Sequence, residues 1–304
     1  MWYLYALLGP AIWAFLNHLD KYLLGRFFGT DAEGPVLAVF TGFAGVIVAM
    51  AILLFGPPVF TLAPWRAIAV MGAGMLLVAS YIPYMIAMPR DEASIVASLY
   101  RLTPLFVFVL SYVVLGEGLE PKQIIGGVVT IVGSISLIVD PGRRGNSISF
   151  ATFALMCAAC FMSACVVVVF KFVALRESFW SSAFWEFIGA GVFSTALIGG
   201  IPSYRRALFT LLWSRDAYVL VPVTFSGEAL NLLANLAVGF ASLMAPLALV
   251  SIVTGLHPIF LLLYGVLFTL FLPSFGRERL TRHDISRKAA AICVMCAGIV
   301  ITFT

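Results

Sequence analysis

Ala93-Ser-Ile-Val-Ala-Ser-Leu-Tyr-Arg-Leu-Thr-Pro-Leu-Phe106 returns 154 residues later as Leu247-Ala-Leu-Val-Ser-Ile-Val-Thr-Gly-Leu-His-Pro-Ile-Phe260. Leu102/Leu256, Pro104/Pro258 and Phe106/Phe260 fall in register. A second echo runs beside the first. Lys21-Tyr22-Leu23-Leu24-Gly25-Arg26 and Lys171-Phe172-Val173-Ala174-Leu175-Arg176 close two long apolar runs 150 residues apart. A lysine inside an apolar span is costly, so its return at the same point of a second span suggests duplication and use.

Composition sets the solvent. Of 304 residues, 62% are hydrophobic and 11% charged, with a mean hydropathy of +1.07. A soluble domain is nearer a quarter charged. This surface suits lipid, where backbone groups must bond internally, so only helices or a closed barrel can span. Long continuous apolar runs exclude the alternating pattern of a barrel. About 20 apolar residues are needed per span. The runs predict ten helices, at 2–24, 35–55, 66–88, 93–115, 122–139, 149–175, 179–199, 217–240, 245–271 and 286–304. The N-terminal run lacks a basic start and a small-residue cleavage site, and reads as a retained first helix.

The repeat unit is therefore five helices, with residues 1–140 as one copy, 141–148 as a linker and 149–304 as the second. An odd number of spans inserts the second copy upside down, around a pseudo-two-fold axis in the membrane plane. The fold expected is an all-α polytopic membrane protein, with ten transmembrane helices as two inverted repeats around a central cavity. Basic residues divide unevenly among the loops. One set holds Arg26, Arg90, Arg143, Arg144, Arg205, Arg206, Arg215, Arg277, Arg279, Arg282, Arg287 and Lys288; the other holds Arg66, Lys122 and Arg176. The richer set belongs in the cytoplasm, which puts both termini outside a bacterial-type inner (plasma) membrane.

Leu115-Gly116-Glu117, the paired Gly126-Gly127 and Val132-Gly-Ser-Ile-Ser-Leu-Ile138 follow Thr103-Pro-Leu-Phe-Val-Phe-Val-Leu. This series resembles the EamA-type repeat of the drug/metabolite transporter superfamily: a proline with bulky apolar residues, then L-G-E, then a glycine-rich last helix. The first helix with Trp13 also looks like that family's opening span. The resemblance covers essentially the whole chain. It is stronger in the first repeat, because Leu272-Pro273-Ser274 and a basic insertion stand where the second L-G-E would be. It implies a ten-helix secondary carrier with a central cavity. Family members handle amino acids, nucleosides, sugar phosphates and lipid-linked sugars, so the resemblance hardly limits the substrate.

Each ionisable or amide group within the spans needs a partner, a wet cavity or an interface. Arg101 lies three residues before Pro104, with Gly255 at its repeat equivalent. It is a cavity arginine for a carboxylate or phosphate, or it pairs with Glu186 or Glu228. Glu228, Asn231 and Asn235 share one helix face, and helix 3 aligns Tyr81 with Asn235, with Tyr84 one turn on. This stripe either lines a cavity or bonds packed helices. Glu186 is a partner for a substrate ammonium, a proton site, or an interfacial acid beside Trp180 and Trp185. Asn17, His18, Asp20 and Lys21 crowd the end of helix 1. They reach the cavity, or Lys21 snorkels and pairs with Asp20. Lys171 carries the same two readings. His257, before Pro258, either takes a coupling proton or bonds a neighbouring carbonyl. The candidate substrate site is thus Arg101, Tyr81, Tyr84, Glu186, Glu228, Asn231, Asn235, Asn17, His18, Lys21 and Lys171. Glu228, Glu186, His257 and Asp20 are the proton-coupling candidates.

Cys157, Cys160, Cys165, Cys293 and Cys296 sit inside apolar runs and read as packing residues. No phosphate loop, H-E-x-x-H or G-x-S-x-G occurs, and no metal or cofactor is expected. The arginine-rich loops lack interleaved aromatics, so nucleic acid is not an expected partner; they touch anionic membrane lipid. The expected function is secondary transport, not enzymatic, of a small polar charged metabolite. An organic anion, a zwitterion or a phosphate-bearing compound would move by alternating access, proton-coupled or by exchange, through a monomer or homodimer. The alternative is a flippase for a lipid whose head group carries phosphate or a polyprenyl link.

Overall fold

The computed structural model describes residues 1–27, 34–87, 96, 99–138, 149–271 and 282–304; the side chains of 20–27, 34–37, 101, 137–138, 282–285 and 287 lie outside the description. Its helices are α1 (Trp2–Phe27), α2 (Gly34–Phe55), α3 (Pro64–Ala87), α4 (Thr103–Leu115, entered through a 3-10 turn at Tyr100–Leu102), α5 (Pro121–Ile138), α6 (Phe150–Ala174), α7 (Phe179–Gly200), α8 (Pro202–Leu212), α9 (Ala217–Met244), α10 (Leu247–Thr254), α11 (His257–Phe271) and α12 (Arg282–Phe303). There is no strand among the described residues. Among the described residues, six stretches are long and apolar enough to cross a membrane. Large apolar side chains such as Leu54, Ile68, Val113 and Ile125 are exposed on the outside of the bundle, where acyl chains would cover them.

Two departures from the expected helices have one cause. The expected helix at 245–271 is broken into α10 and α11. Pro258 has no N–H to donate, and its ring collides with the carbonyl one turn back, so α10 stops at Thr254 and α11 restarts with the proline in its first turn. Pro104 sits likewise in the first turn of α4, after the 3-10 turn that holds the backbone of Arg101. The third departure is α8, which occupies what reads as a loop. Leu208 and Leu211 are buried against Phe40 and Phe225, while Arg205 and Arg206 point out. Its eleven residues are too short and too charged to span, and it lies along the bundle as an amphipathic helix. Burial of Tyr204 at its start pushes that phenol above its ordinary pKa.

Close crossings are made on glycine. On α5 and α12, a Cβ at Gly126 would strike Gly298 and Thr302, and a Cβ at Gly298 would strike Gly126 and Thr130. Thr130 and Thr302 each return their hydroxyl to the carbonyl four residues back, Gly126 and Gly298. On α2 and α7, Gly42 faces Ser194 and Ala190, and Gly191 faces Val46. Helix α3 lies against α6 and α7; α1 lies against α9, α10 and α11; and α4 lies against α6 and α10. The rings of Trp2 and Phe303 are 5.9 Å apart, so both ends of the chain meet at one end of the bundle. That end also carries the turns at 56–63, 116–120 and 175–178 and the break at Ala245–Pro246. Arg66 pairs with Glu177, Ser181 donates to the Pro58 carbonyl at 3.0 Å, and Trp185 donates to the Val59 carbonyl at 3.1 Å.

Candidate functional site: a central polar cavity

Helices α1 to α7 and α9 to α11 all contribute to the wall of a cavity of about 440 Å³. Its wall is apolar for the most part, with single polar groups from most of these helices set into it and the acids and amides on α1, α7 and α9. Asn231 is the hub of one group. Its Oδ1 accepts from Trp13 Nε1 at 3.0 Å, and its Nδ2 donates to Glu228 Oε2 at 3.2 Å and towards the Tyr81 hydroxyl at 3.4 Å. Helical spacing brings Glu228 under Asn231, and Asn235 continues the stripe along the wall. A second group joins α1 to α11. The amide of Asn17 donates to His257 Nε2 at 3.2 Å. Tyr84 and Tyr100 meet edge to face at 5.8 Å, and the Tyr100 hydroxyl bonds Ser163 at 2.8 Å.

Glu186 differs from all of these. It lines the cavity, is 9% exposed, and its carboxyl has no hydrogen-bond or ion-pair partner among the described residues. Its position is rigid. A Cβ at Gly74 would overlap the Glu186 carbonyl and the Ala190 nitrogen, and a Cβ at Gly189 would overlap the Met71 backbone. The bare glycine backbones clamp this turn of α7 against α3. A carboxylate so placed needs a counter-charge, either a proton or a cationic group on a ligand. Among the described residues, no lysine or arginine lines the cavity.

Of the candidate residues, Asn17, Tyr81, Tyr84, Glu186, Glu228, Asn231, Asn235 and His257 come together on this wall. Two candidates are placed elsewhere. His18 is buried against α11, where its Nε2 donates to the Leu261 carbonyl at 3.0 Å and its ring meets Phe268 edge to face. Lys171 is 2% exposed, forms an ion pair with Glu117, and donates to the Ala245 carbonyl at 2.8 Å. The side chains of Asp20, Lys21 and Arg101 lie outside the described residues. Sequence reasoning passed over the wall hydroxyls of Ser134 and Thr224, which are buried without a partner among the described residues. It gave Glu117 no role beyond its place in the L-G-E series. The L-G-E motif was the signal for Glu117; serine and threonine within spans carry none. Among the described residues, no cluster of His, Cys, Asp and Glu fits a metal.

Apolar outside and polar inside, this is a multi-pass helical membrane protein with a ligand-sized central chamber. Residues 1–139, a little under half of the chain, match the model of the EamA-like transporter family, and over that stretch the chain is similar to EamA-type proteins of the drug/metabolite transporter superfamily. That family consists of membrane transporters and not enzymes. One solved crystal structure superposes with a TM-score of 0.66 over 99% of this chain and 98% of that one, at 14% identity, a likeness of fold alone. No curated protein matches.

Proposed function

We propose that the protein is a secondary carrier that moves a small polar, charged metabolite through this cavity by alternating access between two inverted repeats, residues 1–140 and 149–304. The observation that carries the reading is Glu186. An uncompensated carboxyl on the wall of an internal chamber is unfavourable for a scaffold and useful for a site that takes up and releases a cation or a proton. The acid makes proton coupling or exchange the natural energy source. The Glu228–Asn231–Tyr81 group and the Asn17–His257 pair are the proposed donors and acceptors for the rest of the substrate. Arg101, beside Tyr100, is the proposed partner of an anionic group. Lys21 and Asp20 complete the proposed set at the end of α1.

The packing supports the inverted repeat. Exchanging the first, third and fourth spans of one copy with those of the other turns the α1–α9 contact into α6–α3, and the α1–α11 contact into α6–α4. The two self-paired crossings, α2 on α7 and α5 on α12, are made on matched glycines. In this reading the basic loops face the cytoplasm of a bacterial-type inner membrane and both termini face out.

The test is a thermal-shift panel of amino acids, amines, organic acids and sugar phosphates on the full-length protein, followed by uptake into proteoliposomes. A ligand at 100 times its Kd raises stability by about 2.7 kcal/mol. Saturable uptake that falls roughly tenfold or more in Glu186→Gln is expected, since a charged contact is worth about 1.5–3 kcal/mol. Uptake unchanged in both Glu186→Gln and Glu228→Gln would reject the site.

A further inference from the structure

The buried lysine of α6 does not reach the cavity, and what it does instead carries a consequence for how the cavity opens. Four groups meet at the end of the bundle that holds both termini. Helix α4 ends at Gly116, whose φ of 70° lies in the left-handed region and turns the chain sharply. The turn presents Glu117 to the break between α9 and α10. There Ala245 is extended and Pro246 opens α10, which leaves the Ala245 carbonyl and the Leu247 N–H without helical partners. Glu117 Oε2 accepts from the Leu247 N–H at 2.7 Å. Lys171 supplies the Ala245 carbonyl at 2.8 Å and forms the ion pair with Glu117. One carboxylate and one ammonium thus satisfy both sides of a broken helix junction and each other.

We propose that Glu117 and Lys171 form a bolt that holds the cavity shut on this face, and that the bolt must part before the face can open. This rests on the transport reading given above. Leu247 links the bolt to the chamber. Its N–H is held by Glu117, while its side chain lines the cavity and packs with Val107 and Val168 in an apolar layer just inside the bolt. The bolt also joins the proposed halves. Glu117 belongs to residues 1–140, whereas Lys171, Ala245 and Leu247 belong to 149–304. The Arg66–Glu177 pair crosses the halves in the same way at the same end of the bundle. The sequence repeats the lysine as Lys21 but not its acid, because the Leu272-Pro273-Ser274 stretch that takes the place of Leu115-Gly116-Glu117 carries none.

The test reads access to the cavity without needing a substrate. Ser251, on the cavity wall, is replaced by cysteine in a full-length background with Cys157, Cys160, Cys165, Cys293 and Cys296 changed to alanine. The protein is reconstituted in vesicles of known orientation. A membrane-impermeant methanethiosulfonate is then added to one side at a time. With the bolt intact, labelling from the terminus-bearing face is slow. Glu117→Gln combined with Lys171→Met raises that rate by at least roughly fivefold, as a conformational coupling of ordinary size would, and lowers the rate from the opposite face. Unchanged rates from both faces, with a lower melting temperature, would mean that the pair only stiffens the bundle and would overturn the proposal. If the double variant does not fold, Glu117→Gln alone is read in the same way, because the amide oxygen keeps an acceptor for the Leu247 N–H. Labelling unchanged while uptake persists removes the bolt and leaves transport standing. Altered labelling in a protein that takes up nothing does the reverse.

Discussion

Gly74 and Gly72 lie two residues apart on α3, and the bundle asks opposite things of them. A Cβ at Gly72 meets nothing within 4 Å. Alanine there removes the backbone freedom of an internal helix glycine and should stabilise by about 0.5–1 kcal/mol. A Cβ at Gly74 would overlap the Glu186 carbonyl and the Ala190 nitrogen, both backbone atoms of α7 that cannot turn aside. Overpacking of this kind typically costs about 1–3 kcal/mol, which exceeds the propensity gain. Gly74→Ala should therefore destabilise by roughly 1–2 kcal/mol net, and the two variants should differ by roughly 2–3 kcal/mol. At about 2–4 °C of Tm per kcal/mol, scanning fluorimetry in detergent should separate them by about 4–12 °C, Gly72→Ala above wild type and Gly74→Ala below. Gly74→Ala should also weaken ligand binding, because the same clamp positions Glu186. Equal melting temperatures would refute the claim that the α3–α7 crossing is a backbone-on-backbone contact.

Three further outcomes follow from the same geometry. Glu117→Ala leaves Lys171 buried without its counter-charge and should cost about 3–5 kcal/mol, whereas pairing Glu117→Gln with Lys171→Met should recover much of the loss in a double-mutant melt. Asn231→Leu removes the acceptor of Trp13 and a donor to Glu228; water in the cavity replaces part of the loss, so about 1–2 kcal/mol is expected, with a change in tryptophan emission from Trp13 as the specific signature. Gly116→Ala meets open space but a left-handed φ, and should cost about 1–2 kcal/mol by backbone strain alone, with Gly118→Ala near neutral as the control.

Much of the architecture could be read from residue order. Pro104 and Pro258 mark the points where α4 begins and where α10 gives way to α11, because a missing N–H acts locally whatever surrounds it. The 154-residue echo in the sequence links those two points. The stripe of Glu228, Asn231 and Asn235 was legible too, since helical spacing alone puts the three on one face. Helix α8 was not: its apolar residues face Phe40 and Phe225, and only the presence of α2 and α9 makes the stretch amphipathic in use. His18 and Asn17 are neighbours in sequence, but the helical turn between them sends one to the Leu261 carbonyl and the other to the chamber.

Composition and proline spacing determined by themselves that this chain is a helical membrane protein and where its helices break, because hydropathy and missing backbone donors are properties of each segment alone. Only the tertiary structure decided which buried charge is a scaffold and which is free. Lys171 and Glu186 sit in equally apolar runs, yet Glu117 compensates the first across a turn 54 residues away, and no described side chain compensates the second. A buried ion takes its meaning from its counter-charge, and that partner is chosen by packing between helices far apart in the chain.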